Sequence, residues 1–498
     1  MGIGSKVIVI ALGFIIPRIV LVNYGSDVNG VITSIGQIFG YMALLEAGIG
    51  RAARNMLYKP IVNRDRDGVS YVASVAQRYF RKFTFFYGIG VVLLSIFIPL
   101  MWNTNVDKST IFLLVFFEGM SGVLSFWFTQ TPSIILEADG KSYVNNLVGS
   151  IKTILYSIAK IVIVSLAIRI DALQYAYFLI TIVRVIIYKL YFKKNYNWIN
   201  YKLAPPKTKL KERTAYVIDE IAWTVFSSTD LIVLSTFAST SMSSVYSIYN
   251  MVYGAISTLT TAIYNSVSYL LGQAFFEDIK KYEKVHDAFM SVFIGVQTII
   301  MSATYILILP FIELYTKGIA DVNYIYRDVP LLFCLIQMLS WSRYITGNLA
   351  SIAGFAKQIS VVSLAEAIMN ILFSLLLVGK YGISGVLWAT VIALPVKVVY
   401  CAYISDKKVF GRSYRKTFSI LGINYLMFTI ILCVNNYIKI DIVNIADFVV
   451  KGVIITAVCS VVGISANLLV NPECIKMIKF LFEKRRKGRN NEHNQKML

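Results

Sequence analysis

The sequence predicts an all-α polytopic membrane protein with about fourteen transmembrane helices, and three observations carry that reading. Of 498 residues, 57% are hydrophobic and 15% charged, against roughly 45–50% apolar and about 25% charged in soluble domains. One water-facing globule cannot bury so much apolar surface. The apolar residues also fall in uncharged runs of about twenty, the length that crosses a bilayer as a helix, whereas a barrel strand would alternate over about ten. The formal net charge of +21 is, lastly, gathered in alternate hydrophilic segments. A soluble enzyme, a disordered tail protein and a secreted disulfide scaffold are excluded.

Taken in order, the first six spans are Ile3 to Val22, Val28 to Ala47, Phe83 to Trp102, Ile111 to Gln130, Val144 to Ile168 and Ala172 to Tyr191. No small-residue cleavage site follows the first, so it is expected to stay as a span. The next six are Tyr216 to Phe237, Met242 to Leu271, Ala288 to Leu309, Val329 to Ile352, Ile359 to Val378 and Ile383 to Ile404. Thr417 to Tyr437 and Val443 to Val470 complete the set. The positive-inside rule supports this map. With Lys6 and Lys189, near the ends of their spans, counted with the adjoining segments, alternate segments hold 35 of the 48 Lys and Arg, the opposite set holds 6, and 7 lie inside spans. Both termini are therefore expected in the cytoplasm. The basic excess reads as orientation plus attraction to anionic headgroups rather than nucleic-acid binding. Two stretches suggest interfacial amphipathic helices: the tail with Ile475, Ile478 and Phe482, and the linker with Val69, Val72, Ala76, Tyr79 and Phe83.

The chain repeats itself. Leu21 to Ile35 matches Leu234 to Ile248 at an offset of 213, and Leu136 to Gly149 matches Ile352 to Ala365 at 216. An even number of spans separates the copies, so both point the same way across the bilayer. The expected domains are an N-lobe over 1–192, a basic cytoplasmic linker over 193–215, a C-lobe over 216–404, two further spans over 405–470 and a basic tail over 471–498. Duplicated bundles of this kind hold substrate between lobes and rock to give alternating access.

Polar residues then mark the inside. Ser247, Asn250, Gly254, Ser257, Thr261 and Tyr264 form one helical face, and Ser34, Gln37 and Tyr41 sit at the repeat-equivalent places. Glu220, Thr224, Ser227 and Asp230 form another stripe, as do Gln337, Ser340, Tyr344, Gly347 and Ser351, and Asn146, Ser150, Thr153, Ser157 and Lys160. Packing by small and hydroxyl residues explains any one stripe. Five together favour a wet cavity. The cations inside spans are Arg18, Lys152, Lys160, Arg184, Arg343, Lys397 and Lys451, with Lys451 set aside as able to snorkel. Arg18 could snorkel too, or pair with Asp230. Facing them are Asp230, Glu118, Glu366 and Glu46. Each intramembrane charge costs roughly 2.5–3.5 kcal/mol on insertion scales, so an excess of cations suits an anionic cargo such as a diphosphate. Cys334, Cys401, Cys433, Cys459 and Cys474 form no metal spacing, and His286 and His493 stand in polar stretches. Metal sites and histidine acid–base chemistry are not expected.

The opening IPRIVLVNYGSDVNGVITSI, then LLEAGIGRAARNMLYKPI at Leu44 to Ile61, and SSTDLIVLS at Ser227 to Ser235 resemble the polysaccharide biosynthesis family of oligosaccharide flippases. That family sits in the multidrug/oligosaccharidyl-lipid/polysaccharide exporter superfamily. The resemblance implies a bacterial inner-membrane flippase that turns undecaprenyl-diphosphate-linked repeat units to the outer leaflet for capsule, O-antigen or teichoic-type polymers. It assigns the diphosphate or acidic sugars to Arg18, Lys160, Arg184 and Arg343, and Lys152 and Lys397 join them as cavity cations. Gln37, Asn250, Ser257, Gln337 and Tyr344 are the polar lining. The resemblance also implies drive by a proton or sodium gradient, with Asp230 and Glu366 as coupling acids and no bound cofactor. Expected partners are the lipid-linked anionic glycan, the bilayer and polysaccharide assembly enzymes. A lipid II flippase and a cation-coupled multidrug exporter remain alternatives, with a membrane glycan polymerase, ligase or glycosyltransferase less favoured because the outer segments are short.

Overall fold

The computed structural model describes residues 2–166, 168–201, 226, 229–435 and 442–470. Most of the seventh expected span, most of the basic linker and the whole tail lie outside these residues, including Glu220, Thr224, Ser227 and His493. Among the described residues the regular structure is entirely helical. Eight stretches of it are long and apolar enough to cross a membrane, one of them a continuous 81-residue run over Val329–Val409. The protein is polytopic and all-α.

The helices are α1 Gly2–Val62, α2 Arg66–Met101, α3 Lys108–Leu124, α4 Gln130–Ala138, α5 Ser142–Ser165 and α6 Asp171–Asn195, then α7 Thr240–Glu277 and α8 Ile279–Tyr315. After them come α9 Val329–Ser342, α10 Tyr344–Ala350, α11 Ala356–Tyr403, α12 Arg415–Asn435 and α13 Ile445–Val470. Short π-helical turns occupy Ser125–Thr129, Ser351–Phe355 and Ile404–Val409. Two of the long helices are really pairs. α1 breaks at Gly25 (φ 82°, ψ 177°) and α11 at Gly382 (φ 54°, ψ −126°), conformations that a side chain with a Cβ adopts only under strain. Each break falls between two expected spans.

Two compact units divide the chain. The first comprises 1–251, 318–323 and 367–386; the second comprises 252–317, 324–366 and 387–498. In the first, α1, α2, α3, α5 and α6 close over an apolar core of Val31, Ile35, Phe39, Tyr87, Val91, Leu114 and Leu173. Helices α2 and α3 approach closely at Gly119, where a Cβ would stand 2.5 Å from Val91 Cγ1. The outward faces of α5 and α6 carry Ile154, Ile158, Val162, Leu179, Val183 and Ile186, all exposed, as lipid contact requires.

The linker expectation is corrected here. Val69, Val72 and Ala76 do not float at an interface: they are buried with Ala53, Leu57, Phe80, Ile135 and Leu136 in a second core of the first unit. Their spacing is amphipathic because one side of α2 faces protein, a pattern that periodicity alone cannot tell from a lipid-facing stripe.

In the second unit α8 is the hub, packing against α9, α12 and α13. Helix α13 keeps most of its surface exposed, with Val449, Val453, Val458, Val461 and Ile464 outward. It is fixed to α12 by reciprocal amide hydrogen bonds between Asn424 and Asn467 at 2.9 and 3.0 Å. Lys451 pairs with Asp447 at 2.8 Å.

Candidate functional site

Helices α5 and α6 bring three of the expected cations to one place in the first unit. On α5, Lys152, Tyr156 and Lys160 recur every fourth residue and so share a face, turned away from the exposed Ile154, Ile158 and Val162. Opposite them α6 presents Gln174, Tyr177, Arg184 and Tyr188. The Lys152 ammonium donates to the Tyr177 hydroxyl at 2.7 Å and lies 4.1 Å from that ring's centre. Lys160 sits 4.3 Å from the centre of Tyr156, and the Arg184 guanidinium 5.6 Å from Tyr188. Tyr156 in turn donates to Gln174 at 3.2 Å.

Among the described residues one carboxylate faces this group. Glu118 of α3 interacts electrostatically with Lys152 and Lys160, and Arg184 with Lys152. Among the described residues none of the three cations forms a salt bridge, and the Arg184 Nε is buried without a hydrogen-bond partner. The magnitudes decide what this means. An intramembrane cation costs roughly 2.5–3.5 kcal/mol. A charged hydrogen bond returns about 1.5–3, and an aromatic face about 0.5–2. Lys152 collects both. Lys160 has the aromatic contact and shares Glu118 with Lys152, and Arg184 has its aromatic contact. Three cations against one carboxylate thus leave an excess positive charge that water or an anion must satisfy.

The second unit differs from expectation. Arg343, at the break between α9 and α10, is buried and pairs with Glu366 of α11; the side chains are 5% and 3% exposed. Its charge is matched, so it does not stand as an open cationic anchor, and Glu366 is not an open acid. The reason sequence reading missed the pair is distance along the chain: no helical spacing links positions 343 and 366. Lys397 donates to Ser363 within this unit. Tyr344 is exposed, its ring edge-on to Tyr264 at 4.6 Å and tilted against Trp341 at 4.7 Å. Gln337 and Ser257 are half-buried.

The repeat-equivalent stripes meet inside the first unit. Asn29 donates to Ser244 at 2.8 Å and to Ser247 at 3.2 Å, Ser34 pairs with Ser235, and Tyr41 with Thr229 at 2.8 Å. Gly30 lets the helices touch, since a Cβ there would lie 1.7 Å from the Thr240 carbonyl oxygen. Much of the second-span stripe is therefore helix-to-helix glue, while Gln37 and Asn250 stay half-buried beside it. At the end of this seam Asp27 accepts from Thr240 at 2.5 Å, Ser241 at 2.6 Å and Asn105 at 2.8 Å. Burial works to raise its pKa, but these donors prevail and hold the carboxyl below its ordinary range. Buried Asp230 accepts from Tyr246 at 2.9 Å, and Arg18 is half-buried in α1.

The aromatic rings of Tyr156, Tyr177 and Tyr188 were not singled out from sequence. Their spacing from Lys152, Lys160 and Arg184, at four residues or across helices, was the available signal.

No protein-family model matches the sequence, and a search of curated proteins finds no relative. Solved structures do match. The lipid II flippase MurJ in an inward closed conformation has a TM-score of 0.62 at 15% identity, covering 93% of this chain and 98% of MurJ. An inward-facing multidrug resistance MATE transporter of the MOP superfamily has a TM-score of 0.64 at 14% identity, covering 85% and 96%. A MOP superfamily transporter from Pyrococcus furiosus, described as having a binding pocket of reverse polarity that suggests a different function, has a TM-score of 0.51 at 14% identity, covering 80% and 91%. The fold of this chain is the one shared by the lipid II flippase MurJ and the MATE transporters.

Proposed function

We propose that the protein is a flippase for a lipid-linked anionic glycan, moving undecaprenyl-diphosphate-linked oligosaccharide units from the cytoplasmic to the outer leaflet of a bacterial plasma membrane by alternating access. The observation that carries this reading is the cluster of Lys152, Lys160 and Arg184, in which Glu118, the one acid facing it among the described residues, interacts with the two lysines. A diphosphate would supply the missing negative charge, with Arg184 as a fork and the lysines as point charges. A pump for cationic drugs needs the opposite sign, and for the Pyrococcus transporter a binding pocket of reverse polarity is itself described as suggesting a different function. Both termini lie in the cytoplasm in this reading, and the two six-helix lobes are 1–192 and 216–404. Asp230, buried and accepting from Tyr246, is the acid offered for coupling to a proton or sodium gradient.

A second reading has a specific observation in its favour. The likeness to MurJ extends over 93% of this chain, and lipid II is also a diphosphate lipid, so the same cluster would serve it. One experiment tests both. Deleting the gene should pile up a lipid-linked saccharide on the cytoplasmic leaflet, and its identity separates a polymer repeat unit from lipid II. Lys160→Ala and Arg184→Ala, expressed at normal levels, should fail to restore export. Accumulation of no such lipid, or full rescue by both variants, overturns the proposal.

A further inference from the structure

A single guanidinium ties α8 to the segment that follows α11. Arg412 donates from Nη1 to Glu283 Oε1 and Asp287 Oδ2, and from Nη2 to Asp287 Oδ1, each at 2.7 Å; its Nε donates to Asp406 Oδ1 at 2.9 Å. Gly411 (φ 66°) makes the turn that brings it round, and the Arg412 backbone N–H reaches the Asp406 carbonyl at 2.8 Å. The guanidinium also lies 4.9 Å from the Phe410 ring centre.

The charges of this knot do not balance. The Glu283 side chain is 33% exposed and shares its charge with solvent. That leaves Asp287, 11% exposed, and Asp406, wholly buried, against one arginine. A buried carboxylate without compensation costs several kcal/mol. Beside them is His286, not in a polar surface stretch as its sequence context implies but fully buried. Its Nδ1 is 3.4 Å from Asp287 Oδ1, long for a hydrogen bond. Its Nε2 and the Asp406 Oδ2 have no partner, and its ring packs on Tyr282 at 5.9 Å and Phe410 at 5.2 Å.

The other groups around it do not close the balance. On α8, Tyr282 is neutral and Lys280 and Lys284 are exposed. On the 404–412 segment, Lys407 and Lys408 are exposed, as are Arg415 and Lys416 at the start of α12. The buried Thr417 hydroxyl is unpartnered.

We propose that His286 is a proton-binding site that latches the 404–412 segment to α8. A hydronium ion gives its proton to the imidazole, its O–H bond breaking as the N–H bond forms and leaving water, and the reverse step returns the proton to solvent. The imidazolium pairs with Asp287, and with Arg412 it balances Asp287 and Asp406. Loss of that proton leaves the knot one positive charge short and loosens the join. This inference does not depend on what the protein carries.

The chain has two histidines, His286 and His493, so the full-length protein labelled with ¹³C at histidine Cε1 gives two resonances, assigned with His286→Gln. The His286 signal should move as the proton is gained and lost, and Asp287→Asn should shift that change to lower pH. Thermal melting of the wild type should fall as pH rises through the same change, and the fall should be absent in His286→Gln. A His286 signal that is invariant from pH 5 to 8.5 overturns the proposal with no variant needed. So does a wild-type melting temperature that tracks pH no differently from His286→Gln.

Discussion

Asp27 and Thr240, which hydrogen-bond at 2.5 Å, stand 213 residues apart, the offset that relates the two halves of the internal repeat. Equivalent positions of the duplicated sequence therefore meet, and Asn29 with Ser244 and Ser34 with Ser235 continue the seam. The sign of the pH effect follows from the donors around Asp27. Its pKa is depressed in the folded protein, so its contribution is present above the ordinary carboxyl range and is lost as pH falls through the depressed value. Asp27→Asn should lower the melting temperature at neutral pH and lose less on acidification than wild type, followed by thermal melts from pH 3 to 7.

Close approach at Gly30 makes a sharper demand. A Cβ at 1.7 Å from the Thr240 carbonyl cannot be accommodated without moving one helix. Gly30→Ala should cost about 1–3 kcal/mol, the usual range for overpacking, while Gly36→Ala, with open space around its Cα, should be tolerated. Folded yield and melting temperature of the two variants distinguish them.

The Arg343–Glu366 pair separates structure from cargo binding. Removing one partner of a buried pair leaves an uncompensated charge and costs about 3–5 kcal/mol. Arg343→Met and Glu366→Leu alone should therefore both unfold or deplete the protein. Together they should recover much of the stability, and export should recover with it. A stable double variant that cannot export would return Arg343 to the cargo site.

Tyr177 tests the cation cluster without touching a charge. Tyr177→Phe keeps the ring over Lys152 and removes the hydroxyl that accepts its hydrogen bond at 2.7 Å. Loss of a charged hydrogen bond of about 1.5–3 kcal/mol leaves the ammonium less well placed, and export should fall several-fold at unchanged protein level. Asp230→Asn, by contrast, should abolish the dependence of export on the proton or sodium gradient, measured by flipping in vesicles with and without ionophore.

Helix placement was legible because bilayer thickness and hydrogen-bond satisfaction leave little choice. Gly25 and Gly382 lie between expected spans, and the chain turns there. What sequence could not supply was pairing across helices. The cost of charge inside a span marks Arg343 but gives no means of finding Glu366 on another helix, and periodicity reads Val69, Val72 and Ala76 as an interfacial face when protein covers them. Lys152, Lys160 and Arg184 were found because charge inside an apolar run is costly wherever it sits. Their three tyrosines are hidden in a total of 32, and His286 gives no sign of burial because Glu283, Lys284 and Asp287 surround it in sequence.

Helix α13 has a consequence for how such chains are compared. Its outward valines and isoleucines are exposed, so no close protein neighbour restricts which apolar residue stands there. Gly463, where a Cβ would press to 2.4 Å from Ile299, and Asn467 are held to account by their neighbours. Kinship between proteins of this architecture should accordingly be weighed on those few inward positions, not on a percentage averaged along the helix.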